Sequence, residues 1–241
     1  MTRKTKDVIT IYAFALIYIV AMGIFTWSLS DVGTPVPATE NAADTAIICD
    51  RYTLRPITQT IAYNQLPEFP SGSEFFAAAS LLTAYGYPVD AASLLDYMNY
   101  SDDDFVTSYT GNPREEDGYC LAPALTVCVN NFLASLGSHI GHAQNLTGLS
   151  WTDFYSKVEH GQPLAVWITS TYGMPLFYGK AHFDGCKKYE NEQVVVACGA
   201  NEDGIQIADS LHPEKIQTIP TSDFRQIWEA CGAQCMGILE E

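Results

Sequence analysis

Apolar and polar positions fall into three regimes along the 241-residue chain. Residues 8–30 carry no charge and consist largely of Ile, Val, Leu, Phe, Ala and Tyr, with Arg3, Lys4 and Lys6 before them. At 1.5 Å per residue such a helix spans roughly 30 Å, the hydrocarbon thickness of a bilayer. The apolar core of a cleaved signal peptide is shorter, about 7–15 residues. Trp27 stands at the far end, where an interfacial aromatic belongs. The pattern predicts an uncleaved signal-anchor: residues 1–7 a cytoplasmic tip, 8–30 a single transmembrane helix, and the remainder exported, because the positive flank stays inside. A cleaved, secreted product is the alternative. Residues 31–48 lack periodicity, contain two prolines and read as a stalk. Residues 49–241 are of one-domain size, enough for a sizeable core.

Within 49–241 the periodicity predicts a helix from Ser73 to about 85, stopped by Gly86-Tyr87-Pro88. Asp90 can cap a second helix over 91–98. A polar loop over 99–119 precedes helices at about 123–136 and 152–159, the latter closed by Gly161. Strand signals follow at 164–169, 193–198 and 204–209, and Asn201-Glu202-Asp203-Gly204 between the last two is good hairpin chemistry. Ser222 can cap a final helix over 223–230. Helices first and strands later is an α+β order.

Charge narrows the partners. The formal net charge is −16, and outside residues 1–7 the chain holds 9 basic and 27 acidic residues. Such a surface repels nucleic acid and anionic lipid headgroups and would favour cationic ligands, including basic peptides. All seven cysteines, at 49, 120, 128, 186, 198, 231 and 235, fall in the exported part. Export permits disulfides, and an odd count leaves at least one thiol unpaired or paired between chains. Cys198, inside the run Val194–Gly199, is expected as a buried strand residue; the other six could form up to three bridges. No C-x-x-C spacing argues for zinc, and His139/His142 and His182/Cys186 are weak metal patterns, so no metal or other cofactor is expected.

The chemistry-bearing segment is Tyr63-Asn64-Gln65-Leu66-Pro67-Glu68-Phe69-Pro70-Ser71-Gly72-Ser73-Glu74-Phe75, running into the apolar stretch 77–82. It resembles the nucleophile region of the bacteriocin-processing-like cysteine peptidases, family thirty-nine of the cysteine peptidases, where a Gln precedes a Ser-Gly-Cys-Glu turn and the Cys opens the central helix. Further pieces agree in order and spacing: Phe105, Gly111-Asn112-Pro113, Gly118–Leu125, Thr147-Gly148, Gly161-Gln162-Pro163, Val166-Trp167, Val194–Gly199, Ile207-Ala208-Asp209, and Phe224, Trp228 and Gly232. The resemblance covers about residues 64–237. It implies a papain-like cysteine peptidase fold, an N-terminal helical half packed on a C-terminal antiparallel sheet.

A cysteine peptidase needs a thiolate at a helix N-terminus, a His to carry the proton, a polar residue to orient that His, and an oxyanion donor. Carried over by resemblance, Gln65 matches the oxyanion donor and Asp209 the orienting acid. Ser73 stands in place of the Cys and Gln193 in place of the His. A carboxamide cannot hold a proton near neutral pH, and loss of nucleophile or base in a serine protease triad costs roughly 10⁶ in kcat. The expectation is an exported pseudo-peptidase that binds a peptide or protein in the former substrate groove, with Ser73 reduced to an N-cap and Asp209 left without an imidazole. An active hydrolase using Ser73 with a base such as His182, and a spacer with no groove ligand, are the alternatives. Cys120 and Cys128 are expected to be structural.

Overall fold

Every residue from Ser73 to Leu82 is buried, and that explains the centre of the fold. A helix apolar on all sides finds no place at a surface, so α1 (Ser73–Ala84) becomes the central helix and packs against the main sheet. Ala77, Ala78 and Ala79 keep its girth small where backbone must approach backbone. The structure, a computed structural model, describes residues 60–137, 141–177, 182–183 and 185–239, all within one compact unit, 51–241.

After α1 comes a 3₁₀ helix (Ala91–Tyr97), opened by the Asp90 side chain, which accepts from Ala92 N–H at 3.2 Å. The expected cap is present; the helix it starts is tighter than the expected α-helix. The segment expected as a polar loop at 99–119 is pinned by bridges Tyr100–Tyr109 and Thr110–Tyr119, and it buries both Tyr109 and Tyr119. Helix α2 (Ala122–Ser135) packs on α1 and on the 3₁₀ helix.

The remaining elements are β1 (His142–Asn145), α3 (Trp151–Glu159), β2 (Leu164–Thr169), β3 (His182–Phe183), β4 (Cys186–Lys187), β5 (Glu192–Asn201), β6 (Gly204–Ala208), β7 (Gln217–Ile219), α4 (Thr221–Ala230) and β8 (Cys235–Leu239). Six strands form one antiparallel sheet, in the order β1-β8-β2-β5-β6-β7, while β3 and β4 pair separately. The α+β expectation is borne out, although β1 precedes α3 and α4 interrupts the strands. The β5–β6 hairpin closes as its residues predict: Asn201 Oδ1 accepts from Asp203 N–H and Gly204 N–H at 2.9 and 3.2 Å.

All six residues of β2 are buried. A strand whose alternate side chains are all covered must carry layers on both faces. One layer is α1, α2 and the 3₁₀ helix. The other is α3 and α4, joined by rings: Phe154 lies 4.5 Å from Trp228 and 5.6 Å from Phe224, centroid to centroid. The Ser150 hydroxyl caps α3 through Asp153 N–H at 3.1 Å. Ser222 does not cap α4; that helix starts at Thr221 behind Pro220, because proline's restricted φ already sets the turn.

The cysteine expectations divide. Cys198 is a buried residue of β5, as expected. Among the described residues no two cysteines are bridged to one another. Cys49, His139, the expected transmembrane helix at 8–30 and the stalk at 31–48 lie outside the described residues. Among the described residues no helix is long and apolar enough to cross a membrane, and no cluster of three or more His, Cys, Asp or Glu could hold a metal ion.

Phe154 is fully buried between Trp228 and Phe224. Phe154→Ala should therefore destabilise the folded chain by about 3–5 kcal/mol, read as a lower urea midpoint at unchanged slope.

Candidate active site

The approach to α1 is a tight turn. Gln65 O accepts from Phe69 N–H at 2.9 Å and Phe69 O from Gly72 N–H at 3.0 Å. A Cβ on Gly72 would stand 2.7 Å from Phe69 Cβ, so the turn needs glycine there. Gly72 is the N-cap of α1, with no side-chain cap bond. Ser73 is the first helical residue and not the expected cap. Its hydroxyl is used across the fold: Oγ accepts from Val194 N–H at 3.1 Å and donates to Glu74 Oε2 at 3.4 Å. Strand β5 has its last β6 partner at Val196, opposite Ala208. Beyond that point β6 has turned away, and the serine hydroxyl supplies an acceptor to the Val194 N–H.

Three of the four positions singled out by resemblance, Gln65, Gln193 and Asp209, converge around the carboxylate of Asp209, and Ser73 is bonded to Val194, the residue after Gln193. Asp209 is fully buried and follows directly on β6. Its Oδ1 accepts from Gln193 Nε2 at 2.7 Å and Leu211 N–H at 3.0 Å, and its Oδ2 accepts from the Tyr172 hydroxyl at 2.6 Å. Gln193 Nε2 also approaches Ser210 Oγ at 3.2 Å and Gln65 Oε1 at 3.4 Å. Ser210 Oγ donates to Gln65 Oε1 at 2.5 Å, and Gln65 Nε2 donates to the carbonyls of Phe69 and Pro70, each at 3.2 Å. Two carbonyls can only accept, so the donor end of Gln65 is committed to its own turn.

Two residues that sequence reasoning passed over complete the constellation. His212 Nδ1 lies 3.1 Å from Asp209 Oδ2 and 3.2 Å from the Tyr172 hydroxyl. The expectation that Asp209 has no imidazole is thus corrected: its imidazole comes from three residues along its own loop instead of from the opening of β5. A His three residues after an Asp was a visible signal. Tyr172 gave none, since its place depends on a left-handed backbone (φ 52°) in the turn after β2. Strand β3 contains His182, on the two-stranded ladder apart from the main sheet.

The site is closed as well as connected. Gln65, Ser73, Gln193, Asp209 and Ser210 are all buried, whereas the His212 side chain is 44% exposed. A groove of about 720 Å³ opens beside them, walled by residues 63–69 and 88–92 with Phe76. Of the five buried residues only Gln65 lies on its wall. Glu68 and Asp90 on that wall give it acidic groups. Among the described residues no buried thiol offers a displaced nucleophile. Burial pushes Cys128 and Cys235 up to about 12, Cys198 and Cys231 up to about 11, and Cys120 well above its ordinary value. A thiol held that high is not a thiolate at neutral pH.

Behind Ser73, Glu74 is buried with Oε1 accepting from Cys120 N–H at 2.9 Å. Burial raises its carboxyl from 4.5 to about 7, partly offset by those hydrogen bonds. Burial, then the charge of Glu74, pushes Glu192 well above the usual carboxylate range.

Comparison with known proteins agrees with this architecture. The Peptidase_C39 like family matches residues 57–236. A crystal structure of a C39-like peptidase from Bacillus anthracis is similar at TM-score 0.67 and 22% identity, over 77% of this chain and 96% of that one. At that identity the likeness speaks for the fold. The peptidase domain of Streptococcus ComA, a bi-functional ABC transporter of a quorum-sensing pathway, aligns at TM-score 0.45 and 12% identity, over 76% of this chain and all of that one. No curated protein matches the chain.

Two outcomes follow from the site. Ser73→Ala leaves the Val194 N–H buried without an acceptor and should cost about 1–3 kcal/mol in urea unfolding, whereas loss of an idle surface hydroxyl would stay within roughly 0.5 kcal/mol. Glu74 holds its proton more tightly when folded than when unfolded, so its contribution is intact below pH 4.5 and lost as pH rises to about 7. Unfolding midpoints of the native chain should fall over that range, and Glu74→Gln should flatten the dependence.

Proposed function

The chain belongs to the Peptidase_C39 like family, and we propose that this member binds a peptide or protein in its groove without cleaving it. One observation carries the reading: the hydroxyl at the nucleophile position is buried and engaged by Val194 and Glu74, while an amide occupies the base position on Asp209. Gln65, matched to the oxyanion donor, spends its N–H groups on Phe69 and Pro70. Catalysis would need a base beside Ser73, a free donor for developing charge, and room for a carbonyl carbon at Oγ. Each is answered instead by an internal hydrogen bond. The acidic wall of the groove suits a basic or neutral ligand segment. We further propose that the domain is exported and held at the membrane by residues 8–30.

One observation favours a second reading, a hydrolase of altered mechanism with Ser73 as nucleophile. Asp209 still holds an imidazole, His212, and that residue replaces His182 as its natural base. The hydroxyl of Ser73 does not face that imidazole among its hydrogen bonds, which is why binding without cleavage is preferred.

The purified full chain should leave a broad peptide library intact and should not react with a fluorophosphonate probe. Hydrolysis abolished by both Ser73→Ala and His212→Ala would overturn the binding reading in favour of the second. Ser73→Cys combined with Gln193→His should raise alkylation at residue 73 by about tenfold or more over Ser73→Cys alone, because an adjacent imidazole favours thiolate. Equal alkylation rates would show that the scaffold around the pair has changed as well.

A further inference from the structure

The groove beside the constellation combines an apolar lining with two carboxylates. Phe69, Phe76 and Ala91 are buried along it, the two rings 5.4 Å apart between centroids, while Leu66 is 45% exposed. Glu68 stands on one wall and Asp90 on the other, and both are exposed. Neither forms an ion pair among the described residues, and no described Lys or Arg lines the groove. Arg114 comes near, but its guanidinium lies on the Phe69 ring, 4.2 Å from the centroid, and is not part of the wall.

The walls have little main chain to offer a ligand. Gln65 N–H donates to Ser210 O at 3.4 Å, Leu66 N–H to Asn64 Oδ1 at 3.1 Å and Phe69 N–H to Gln65 O at 2.9 Å. Pro67 has no N–H, which leaves only that of Glu68 between 65 and 69. On the other wall Pro88 has none, and Ala92 N–H is held by Asp90 Oδ1 at 3.2 Å. An added strand needs regularly spaced donors along an edge, and these walls lack them. A ligand here is therefore held by its side chains. Apolar groups fit against Phe69 and Phe76, and a positive group meets Glu68 and Asp90.

We propose that Glu68 and Asp90 set the specificity of the groove, selecting an extended peptide segment in which an Arg or Lys adjoins apolar side chains. This rests on the groove binding a peptide and adds which kind. Asp90 uses Oδ1 for its own helix, and Oδ2 remains for an incoming guanidinium or ammonium, as do both oxygens of Glu68. A proline in the ligand sacrifices no ladder bond, because there is no ladder to interrupt. Exposed ion pairs are individually weak, so the selectivity is modest and needs the apolar contacts beside it. Beyond residues 1–7 the chain holds 27 acidic and 9 basic residues. Selection at the groove must accordingly be separated from a general attraction of cations.

Affinity selection from a library of random octapeptides on the immobilised full chain makes that separation. In the retained pool Arg and Lys should rise about fivefold over the input, next to apolar residues, which is the scale of one or two exposed ion pairs. Glu68→Gln with Asp90→Asn should abolish the basic enrichment and keep the apolar one; Asn still caps the 3₁₀ helix. Glu202→Gln with Asp203→Asn removes the same charge from the exposed β5–β6 turn and should keep both. Basic enrichment that survives in the groove variant overturns the proposal, as does its loss in the hairpin variant. Peptides retained with no basic preference overturn it and leave peptide binding standing. Retention that appears only after Arg51→Glu and Arg55→Glu assigns the groove to the chain's own residues and overturns an outside ligand. No retention by either the native chain or that variant overturns both the proposal and peptide binding.

Discussion

A carboxylate removed from water has to be surrounded by donors, and Asp209 sets that requirement at the middle of this molecule. Four groups answer it: the Gln193 amide, the Leu211 N–H, the Tyr172 hydroxyl and the His212 ring. They arrive from β5, from the loop after β6 and from the turn after β2. Through Ser210 and Gln193 the same network reaches Gln65 and the turn that leads into α1. No single bond here is worth much net of water, but each member removed would leave another buried without a partner. The left-handed backbone at Tyr172 and the tight turn at Gly72 make sense as consequences of that demand.

The side chains at positions 73 and 193 also follow from it. An imidazole opening β5 would give Asp209 a donor, and the Gln193 amide gives one at 2.7 Å. A thiol at the start of α1 would offer the Val194 N–H only a weak acceptor, and the serine hydroxyl offers a better one. The serine hydroxyl and the glutamine amide bond well and do not titrate near neutrality. The polar centre can then be closed to solvent, where a working thiolate–imidazolium pair would need charge and access. The groove beside it touches the network only at Gln65.

Periodicity made the long elements legible: the apolar run of α1, the continuous run of β2, and the Asn201–Gly204 hairpin. The short strands were not. β1 is four residues with one buried side chain and β7 is three residues, so neither contains enough alternation to be seen; both exist because a longer neighbour offers them an edge. The 99–119 segment misled for the opposite reason. Its composition is polar, yet Tyr109 and Tyr119 are drawn into the core by α1 and by the ring of Tyr189. At the site, Gln65, Ser73, Gln193 and Asp209 were recognisable from their setting in the chain. Ser210, Tyr172 and the burial of Glu74 were not, since nothing local marks a side chain that will meet another from 37 to 145 residues away.

By itself the sequence determined the α+β class, the central helix, the hairpin and which side chains stand at positions 73 and 193, because each depends on residues close together in the chain or on identity at one position. Tertiary structure alone decided that Ser73 is an acceptor for β5 and not a cap, that Asp209 retains a histidine, and that Glu74 is buried behind the site. Those are matters of which groups are forced together out of water, and that is settled by how α1, β5 and the loop after β6 pack, not by any pattern along one of them.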